Sequence, residues 1–231
     1  MAERDGIILT LLYLKMALIK IKEWFGLIFF KKDIHGLVKE PPELKNNIIT
    51  LLFITFIFSL LSSLISGKFI LVGMLFSTIK YTVYYFLQIF LAGLIIYLVL
   101  RYIFKKQIPV QKFLSPYLKV NIAAFGVITY IFVLIALLII VILLITLLIV
   151  FLTKNPALLA SLVLFGINLM PILAAIIILL LVLAVITLIL EVKIIKNVFN
   201  IGWFAGLLIL IIANLFMGLI LYSTIFRISF I

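Results

Sequence analysis

The sequence predicts an all-α integral membrane protein, a bundle of five transmembrane helices with an N-terminal amphipathic interfacial helix and a long hairpin of the third and fourth helices. Two apolar runs, residues 120–152 and 157–190, contain no charged side chain and are separated only by the turn 153–156. A helix needs about 20 apolar residues to cross a bilayer. The mean hydropathy is +1.52. Only 11% of the residues are charged, and this composition excludes a soluble enzyme.

The charge balance also indicates a membrane environment. The chain carries 19 Lys and Arg against 7 Asp and Glu, and it has no cysteine. Basic side chains flank membrane spans because they set orientation and meet anionic headgroups. We therefore expect a bilayer with anionic headgroups as a partner, and we do not expect nucleic acid. The lack of cysteine excludes disulfides and thiolate metal sites.

Residues 1–47 are predicted to form a cytoplasmic arm that contains an amphipathic helix over about 6–30. Lysines interrupt its apolar sequence, so the segment suits the membrane surface better than the hydrocarbon core. Pro41 and Pro42 mark the boundary with the membrane domain. The side chains predicted to meet the lipid surface are Lys15, Lys20, Lys22, Trp24, Lys31 and Lys32.

Residues 48–231 are predicted to form the membrane domain. Its five spans cover about 48–66, 80–100, 120–152, 157–190 and 202–226. A helix over 120–152 would be about 50 Å long, whereas the hydrocarbon core is about 30 Å thick, so the long helices must tilt or protrude. In the fourth span Pro171 predicts a kink, and Asn168 could bond a carbonyl freed by that proline.

The distribution of basic residues predicts the orientation. Of the 19 Lys and Arg, 15 lie in residues 1–47, 101–119 and 191–200, which share one side in a five-span arrangement. The positive-inside rule then places the N-terminus in the cytoplasm and the C-terminus on the other side. The expected location is the cell membrane in a prokaryote, or the endoplasmic reticulum or Golgi in a eukaryote.

Few residues in the spans could carry chemistry. Glu191 follows the fourth span, and we interpret it as an interfacial charge paired locally, near Lys193 and Lys196; the alternative is a coupling or partner-binding carboxylate. The amides within the spans are interpreted as links between packed helices, with a substrate path as the alternative. These amides are Gln88, Asn121, Asn168 and Asn214.

No catalytic, cofactor-binding or metal-binding residue is predicted. His35 is the only histidine, and a lone histidine does not make a metal site. Gly202 and Gly206 form a GxxxG pair that could bring two helices together, although this spacing is common by chance in apolar sequence.

The order of segments carries a family resemblance. The arm contains FFKKDIHGLVKEPPELKNN before the first span, LRYIFKKQIPVQKFLSPYL follows the second, and KNP joins the third to the fourth. Over residues 25–228 the chain resembles the Yip1 domain family of five-span membrane proteins. The resemblance implies a non-enzymatic organiser, and eukaryotic members are associated with Rab-type GTPases and vesicle transport. Because the arm is short and membrane-seeking, we do not expect a GTPase partner. The high content of Ile and Lys and the absence of Cys resemble the composition of archaeal proteins.

The sequence therefore predicts a non-enzymatic, multi-pass membrane organiser, scaffold, or lipid- or partner-binding subunit. Other membrane proteins or a second copy of the chain are the expected protein partners. The alternative is a permease, or the membrane subunit of a transporter, for a lipid or small solute. Its path would pass Asn168, the Pro171 kink and Asn214.

Overall fold

The chain is a bundle of α-helices. The computed structural model describes residues 19–29, 34–39, 41, 43–65, 71–153 and 170–227, and no strand occurs in these ranges. In chain order the helices are α1 (19–29), α2 (Ile34–Lys39), α3 (Leu44–Ile65), α4 (Leu71–Ile103), α5 (Val110–Thr153), α6 (Met170–Phe199) and α7 (Trp203–Arg227).

Helices α3 to α7 are each long and apolar enough to cross a membrane. The prediction of an all-helical fold with five such helices is confirmed for the described residues, and these helices indicate an integral membrane protein. In a bilayer every backbone N–H and C=O of these segments is paired within its own helix, which is why helices suit this sequence. The first and fifth predicted spans agree with α3 and α7 to within a few residues at each end.

The second helix begins earlier than predicted, at Leu71 rather than near residue 80. Polar residues near its start were expected to lie outside the span. Instead the Thr78 hydroxyl lies 3.3 Å from the Ser63 hydroxyl on α3 and donates to the Met74 carbonyl at 2.8 Å. These hydroxyl groups find hydrogen-bond partners on α3 and within α4 itself, so they do not end α4.

The third helix also begins early, at Val110 rather than near residue 120. The basic segment 101–119 was expected to be a connector, but only residues 104–109 are non-helical. Apolar residues at helical spacing explain the extension, because Phe113, Leu114, Tyr117 and Leu118 are all buried. Lys112 is exposed on this first part of α5, whereas Lys119 is half-buried.

The fourth helix continues past its predicted end at residue 190 to Phe199. Val192, Ile195 and Phe199 are buried, so this segment belongs to the core rather than to a polar connector. Asn200 then adopts a left-handed φ of 51°, and its backbone N–H donates to the Lys196 carbonyl at 2.8 Å. Asparagine favours this helix-ending conformation, which sends the chain directly into α7.

The buried core lies at the end of the bundle where α4 and α6 finish and α5 and α7 begin. The rings of Tyr97, Phe113 and Phe199 meet there, with the Phe113 and Phe199 centroids 5.3 Å apart. The Tyr97 hydroxyl donates to the Ile108 carbonyl at 2.6 Å and so holds the connection between α4 and α5. This end is referred to below as the packed end.

The opposite halves of α5 and α6 extend away from the packed end. Their aliphatic side chains are largely exposed, including Leu144 at 61% and Ile178 at 62%. Helix α5 has 44 residues and is therefore about 66 Å long, so the prediction of a very long third helix is confirmed. The turn at Lys154 and residue Asn168 lie outside the described residues.

Helix α1 lies against the membrane domain. Leu27 and Ile28 are buried in the core, and Glu23 pairs with Lys119 of α5 at 3.5 Å. The Phe25 ring meets Tyr130 of α5 edge to face, with centroids 6.2 Å apart. Protein thus covers part of the apolar face of this helix, while Ile19 and Phe29 remain exposed.

Candidate functional site

Four polar side chains from three helices meet near the packed end. Tyr117 and Asn121 come from α5, Glu191 from α6 and Asn214 from α7, and we call them the polar cluster. The Asn121 Nδ2 donates to the Glu191 Oε1 at 2.6 Å and to its own helix at the Tyr117 carbonyl, 3.1 Å away. The Tyr117 side chain lies close to both Glu191 and Asn214. The cluster therefore joins three helices.

The cluster lies inside the bundle. Tyr117 is 1% exposed, Glu191 6% and Asn121 8%. Glu191 stands eight residues before the end of α6, about 12 Å along the helix, and Asn121 stands about 17 Å from the start of α5. A carboxylate at this position is costly unless its neighbours satisfy it.

The interpretation of Glu191 as a locally paired interfacial charge is wrong. In the described part of the chain its carboxylate accepts a hydrogen bond from Asn121, lies close to Tyr117 and forms no ion pair with Lys or Arg. Helix geometry is the reason, because residues two and five positions later lie about 200° and 140° around the axis. Lys193 and Lys196 consequently lie on other faces of α6, and Lys196 is exposed.

A groove of about 410 Å³ adjoins the cluster between α5, α6 and α7. Asn121, Glu191, Asn214 and Thr187 contribute its polar lining. The remaining lining is apolar; its residues are Ala124, Phe125, Ile128, Leu180, Leu183, Ala184, Leu188, Leu210, Ile211 and Leu215. The space is therefore polar towards the packed end and aliphatic along the helices. We call it the lateral groove.

The lateral groove opens on the outer surface of the bundle. Leu215 in its lining is 62% exposed and Ile211 39% exposed. Along α6 the lining extends from Glu191 back to Leu180, a length of about 16 Å. The groove can therefore admit an elongated apolar group from the bilayer side, with a polar end directed at the cluster.

The other predicted site residues lie elsewhere. The Gln88 amide of α4 would be 3.7 Å from a Cβ atom at Gly218 of α7, so it packs between those helices. A Cβ atom at Gly206 would meet Ile195 of α6 at 3.4 Å, which shows that Gly206 serves packing within the chain. A Cβ atom at Gly202 would meet nothing within 4 Å.

The predicted kink in the fourth span falls at the edge of the described chain. Pro171 is the second residue of α6 as described, and Asn168 lies outside the described residues. Of the amides suggested for a substrate path, Gln88, Asn121 and Asn214 are described, and Asn121 and Asn214 belong to the polar cluster.

The predicted lipid-surface residues divide into two groups. Lys20 and Lys22 are exposed on α1, whereas Lys15, Lys31 and Lys32 lie outside the described residues. Trp24, expected as a headgroup anchor, instead places its ring against Gly126 of α5. A second groove of about 410 Å³ lies beside this contact, between α1, α3 and α5, and its lining is almost entirely apolar.

In the described part of the chain there is no group of three or more His, Asp or Glu side chains that could hold a metal ion. The lateral groove presents a carboxylate, amides and a hydroxyl, which bind by hydrogen bonds and charge.

Sequence reasoning missed the contact of Asn121 with Glu191, which are 70 residues apart. It also missed Gly93, where a Cβ atom would stand 2.7 Å from the Tyr117 ring. An isolated glycine inside an apolar helix is a usable signal for such a close approach. Nothing local in the sequence, however, says which residue will fill the space beside it.

Comparison with protein-family models, with curated proteins and with solved structures finds no match.

Proposed function

We propose that this protein is a non-enzymatic membrane organiser that binds an amphiphilic lipid in its lateral groove. The observation that carries the proposal is the groove itself, which has the Glu191 carboxylate in its polar lining and aliphatic walls along the rest. Ligand sites are typically concave and mostly apolar, with a few polar groups that fix orientation. The groove has this composition.

The depth of the groove supports a lipid as the ligand. Its polar lining includes Glu191, about 12 Å from the end of α6, and the aliphatic lining continues about 16 Å further towards the centre of the bundle. A lipid in a leaflet has the same order, with its polar head outside and its chain inside. A lipid could enter from the bilayer without turning over.

We further propose the orientation in which the packed end faces the cytoplasm. The support is the charge distribution, since exposed lysines such as Lys105, Lys106 and Lys112 belong to this end. The arm would then meet anionic headgroups through Lys20 and Lys22. The resemblance to the Yip1 domain family supports the same layout and a role in organising membrane proteins, with other membrane proteins or a second copy as partners.

Lipid retention tests the proposal. The full chain is extracted gently from its membrane and its bound lipids are weighed by native mass spectrometry. Ala184→Phe fills the groove from its α6 wall, whereas Ala174→Phe places the same ring on an exposed position of the same helix outside the groove. We expect bound lipid in the wild type and in Ala174→Phe, and its loss in Ala184→Phe. Equal amounts of bound lipid in both variants would contradict the proposal.

A permease is the second candidate, and the burial of Glu191 favours it. An ionisable residue inside a membrane bundle commonly marks a pathway for substrate or protons. Flux across sealed vesicles that contain the purified protein separates the two candidates. Transport that Glu191→Gln abolishes would favour the permease, and bound lipid without transport would favour the organiser.

A further inference from the structure

We propose that the lateral groove selects a lipid whose headgroup carries a primary ammonium, with Glu191 as the counter-ion and Asn121 as the residue that positions it. This inference rests on the proposed function and deepens it by naming the class of ligand. It follows from the pattern of donors and acceptors around the polar end of the groove.

The first step concerns the charge of Glu191. A bound cation favours the ionised form of a buried carboxyl group, and this form offers two oxygens with about four acceptor sites. Its observed partner is the Asn121 amide, and the Tyr117 side chain lies close to it; both groups are neutral. No Lys or Arg pairs with it in the part of the chain that the structure describes. A buried carboxylate of this kind is best satisfied by a positive charge that brings its own N–H groups.

The second step concerns the neighbouring side chains, whose donors are directed into the protein. The Asn121 amide donates to Glu191 and to the Tyr117 carbonyl. The Asn214 amide donates to the Leu210 carbonyl at 3.0 Å. The Thr187 hydroxyl donates to the Leu183 carbonyl at 2.8 Å. What these side chains offer a ligand is therefore mainly oxygen, so the polar end of the groove is rich in acceptors.

An acceptor-rich site requires a ligand that is rich in donors. A primary ammonium has three N–H donors and a positive charge, as in the lysine side chain. A quaternary ammonium has the charge but no N–H group. An anionic headgroup that carries no ammonium would be repelled by Glu191 and would offer the carboxylate no positively charged N–H donor. Among common lipid headgroups the groove therefore matches the ethanolamine type.

The third step concerns the apolar part of the ligand. A groove of about 410 Å³ lies near the lower end of the size range of ligand sites. The α6 lining from Leu188 to Leu180 is apolar except for Thr187, and it faces the α7 lining across the groove. The groove accordingly holds one acyl chain, and the second chain of a two-chain lipid remains in the bilayer.

Competition between two lipids tests the inference. The full chain is equilibrated in bilayer discs that contain equal amounts of phosphatidylethanolamine and phosphatidylcholine with identical chains, and the lipids retained on gentle extraction are measured. We expect about tenfold enrichment of the ethanolamine lipid in the wild type, since hydrogen bonds to a charged group are involved. Glu191→Gln keeps an acceptor for Asn121 and should remove the preference while lipid is still retained.

Glu43→Gln is the matched control, because Glu43 is exposed and bonds to Asn46 outside the groove. It should retain the wild-type preference. Equal retention of the two lipids by the wild type would overturn the headgroup inference and leave the proposed function standing. Absence of retained lipid in the wild type would overturn both.

A second measurement uses the wild type alone and so does not depend on the folding of a variant. Phosphatidylethanolamine carrying none, one, two or three N-methyl groups is presented against a fixed competitor. Retention should fall with each N–H removed, because the acceptors at the polar end lose a partner each time. A flat series would contradict the inference.

Discussion

The six-membered ring of Trp24 occupies the space that a side chain at Gly126 would need. A Cβ atom at Gly126 would stand 2.6 Å from Cζ3 and 2.7 Å from Cδ2 of that ring. Neither separation is compatible with van der Waals contact. Glycine at this position therefore allows α1 to pack on α5, and the contact couples the arm to the membrane domain.

We predict that Gly126→Ala displaces Trp24. The chain has two tryptophans, so a Trp203→Phe background isolates the Trp24 emission. The added methyl group should shift this emission to longer wavelength and increase its quenching by iodide, because the ring loses its contact with α5. Gly218→Ala is the control, since its Cβ would meet only the Gln88 amide at an ordinary 3.7 Å. Unchanged emission in Gly126→Ala would contradict the contact.

A second prediction concerns Gly93 on α4. A Cβ atom there would stand 2.7 Å from the Tyr117 ring and 2.9 Å from Leu114. Gly93→Ala should therefore destabilise the bundle by about 1–3 kcal/mol, as overpacking does in tightly packed cores. Thermal unfolding in detergent measures this.

Gly73→Ala provides the control for Gly93, because it lies on the same helix with nothing within 4 Å of its Cβ position. It should be neutral or slightly stabilising, since alanine has the higher helix propensity. If both variants melted alike, the close approach of α4 and α5 at Tyr117 would be refuted.

A third prediction concerns the hydrogen bond between Asn121 and Glu191. In a double-mutant cycle with Asn121→Leu and Glu191→Leu, each of which removes the hydrogen bond, unfolding in mixed micelles should give a coupling of about 1–2 kcal/mol. The exposed pair Asn46 and Glu43 has the same two groups at 2.7 Å. Its cycle should give less than about 0.5 kcal/mol, because water competes for an exposed pair. Equal couplings would argue against burial of the polar cluster.

A fourth prediction concerns topology. Reporters fused after Lys154 and at Ile231 should both report the non-cytoplasmic side, and a reporter in the connection at Lys106 should report the cytoplasm. The physical reason is the excess of Lys and Arg at the packed end. Opposite results at all three positions would contradict the proposed orientation. They would show that the lateral groove lies in the other leaflet.

Sequence predicted the number and type of the helices because hydropathy over a span is a local property. It placed two helix boundaries about ten residues too late and ended the fourth span too early. In each case charged or polar residues in the sequence predict the end of a span at a position where the helix continues. At Val110 and after Glu191 the helix continues because an apolar face, such as that of Phe113 or Ile195, remains buried beside the polar residues.

The site was harder to predict for a different reason. The sequence identified Glu191 and Asn214 as candidates, but it could not bring together helices that are distant along the chain. Glu191 was grouped with the nearby lysines, whereas its partner Asn121 is 70 residues away. Such pairing depends on the rotation of each helix about its axis, which the uniformly apolar sequences of α5 and α6 leave undefined.

The packed end and the exposed far halves of α5 and α6 should differ in how well they tolerate amino-acid substitutions. Around Phe113, Tyr117 and Phe199 each side chain has a shape-specific neighbour, so exchange for another apolar residue leaves a cavity or a clash. At exposed positions such as Leu144 and Ile178 the neighbour is a lipid chain, as apolar as leucine and free to rearrange. Valine, isoleucine and leucine should therefore replace one another freely at these exposed positions. At the packed end, Phe113, Tyr117 and Phe199 should tolerate few replacements.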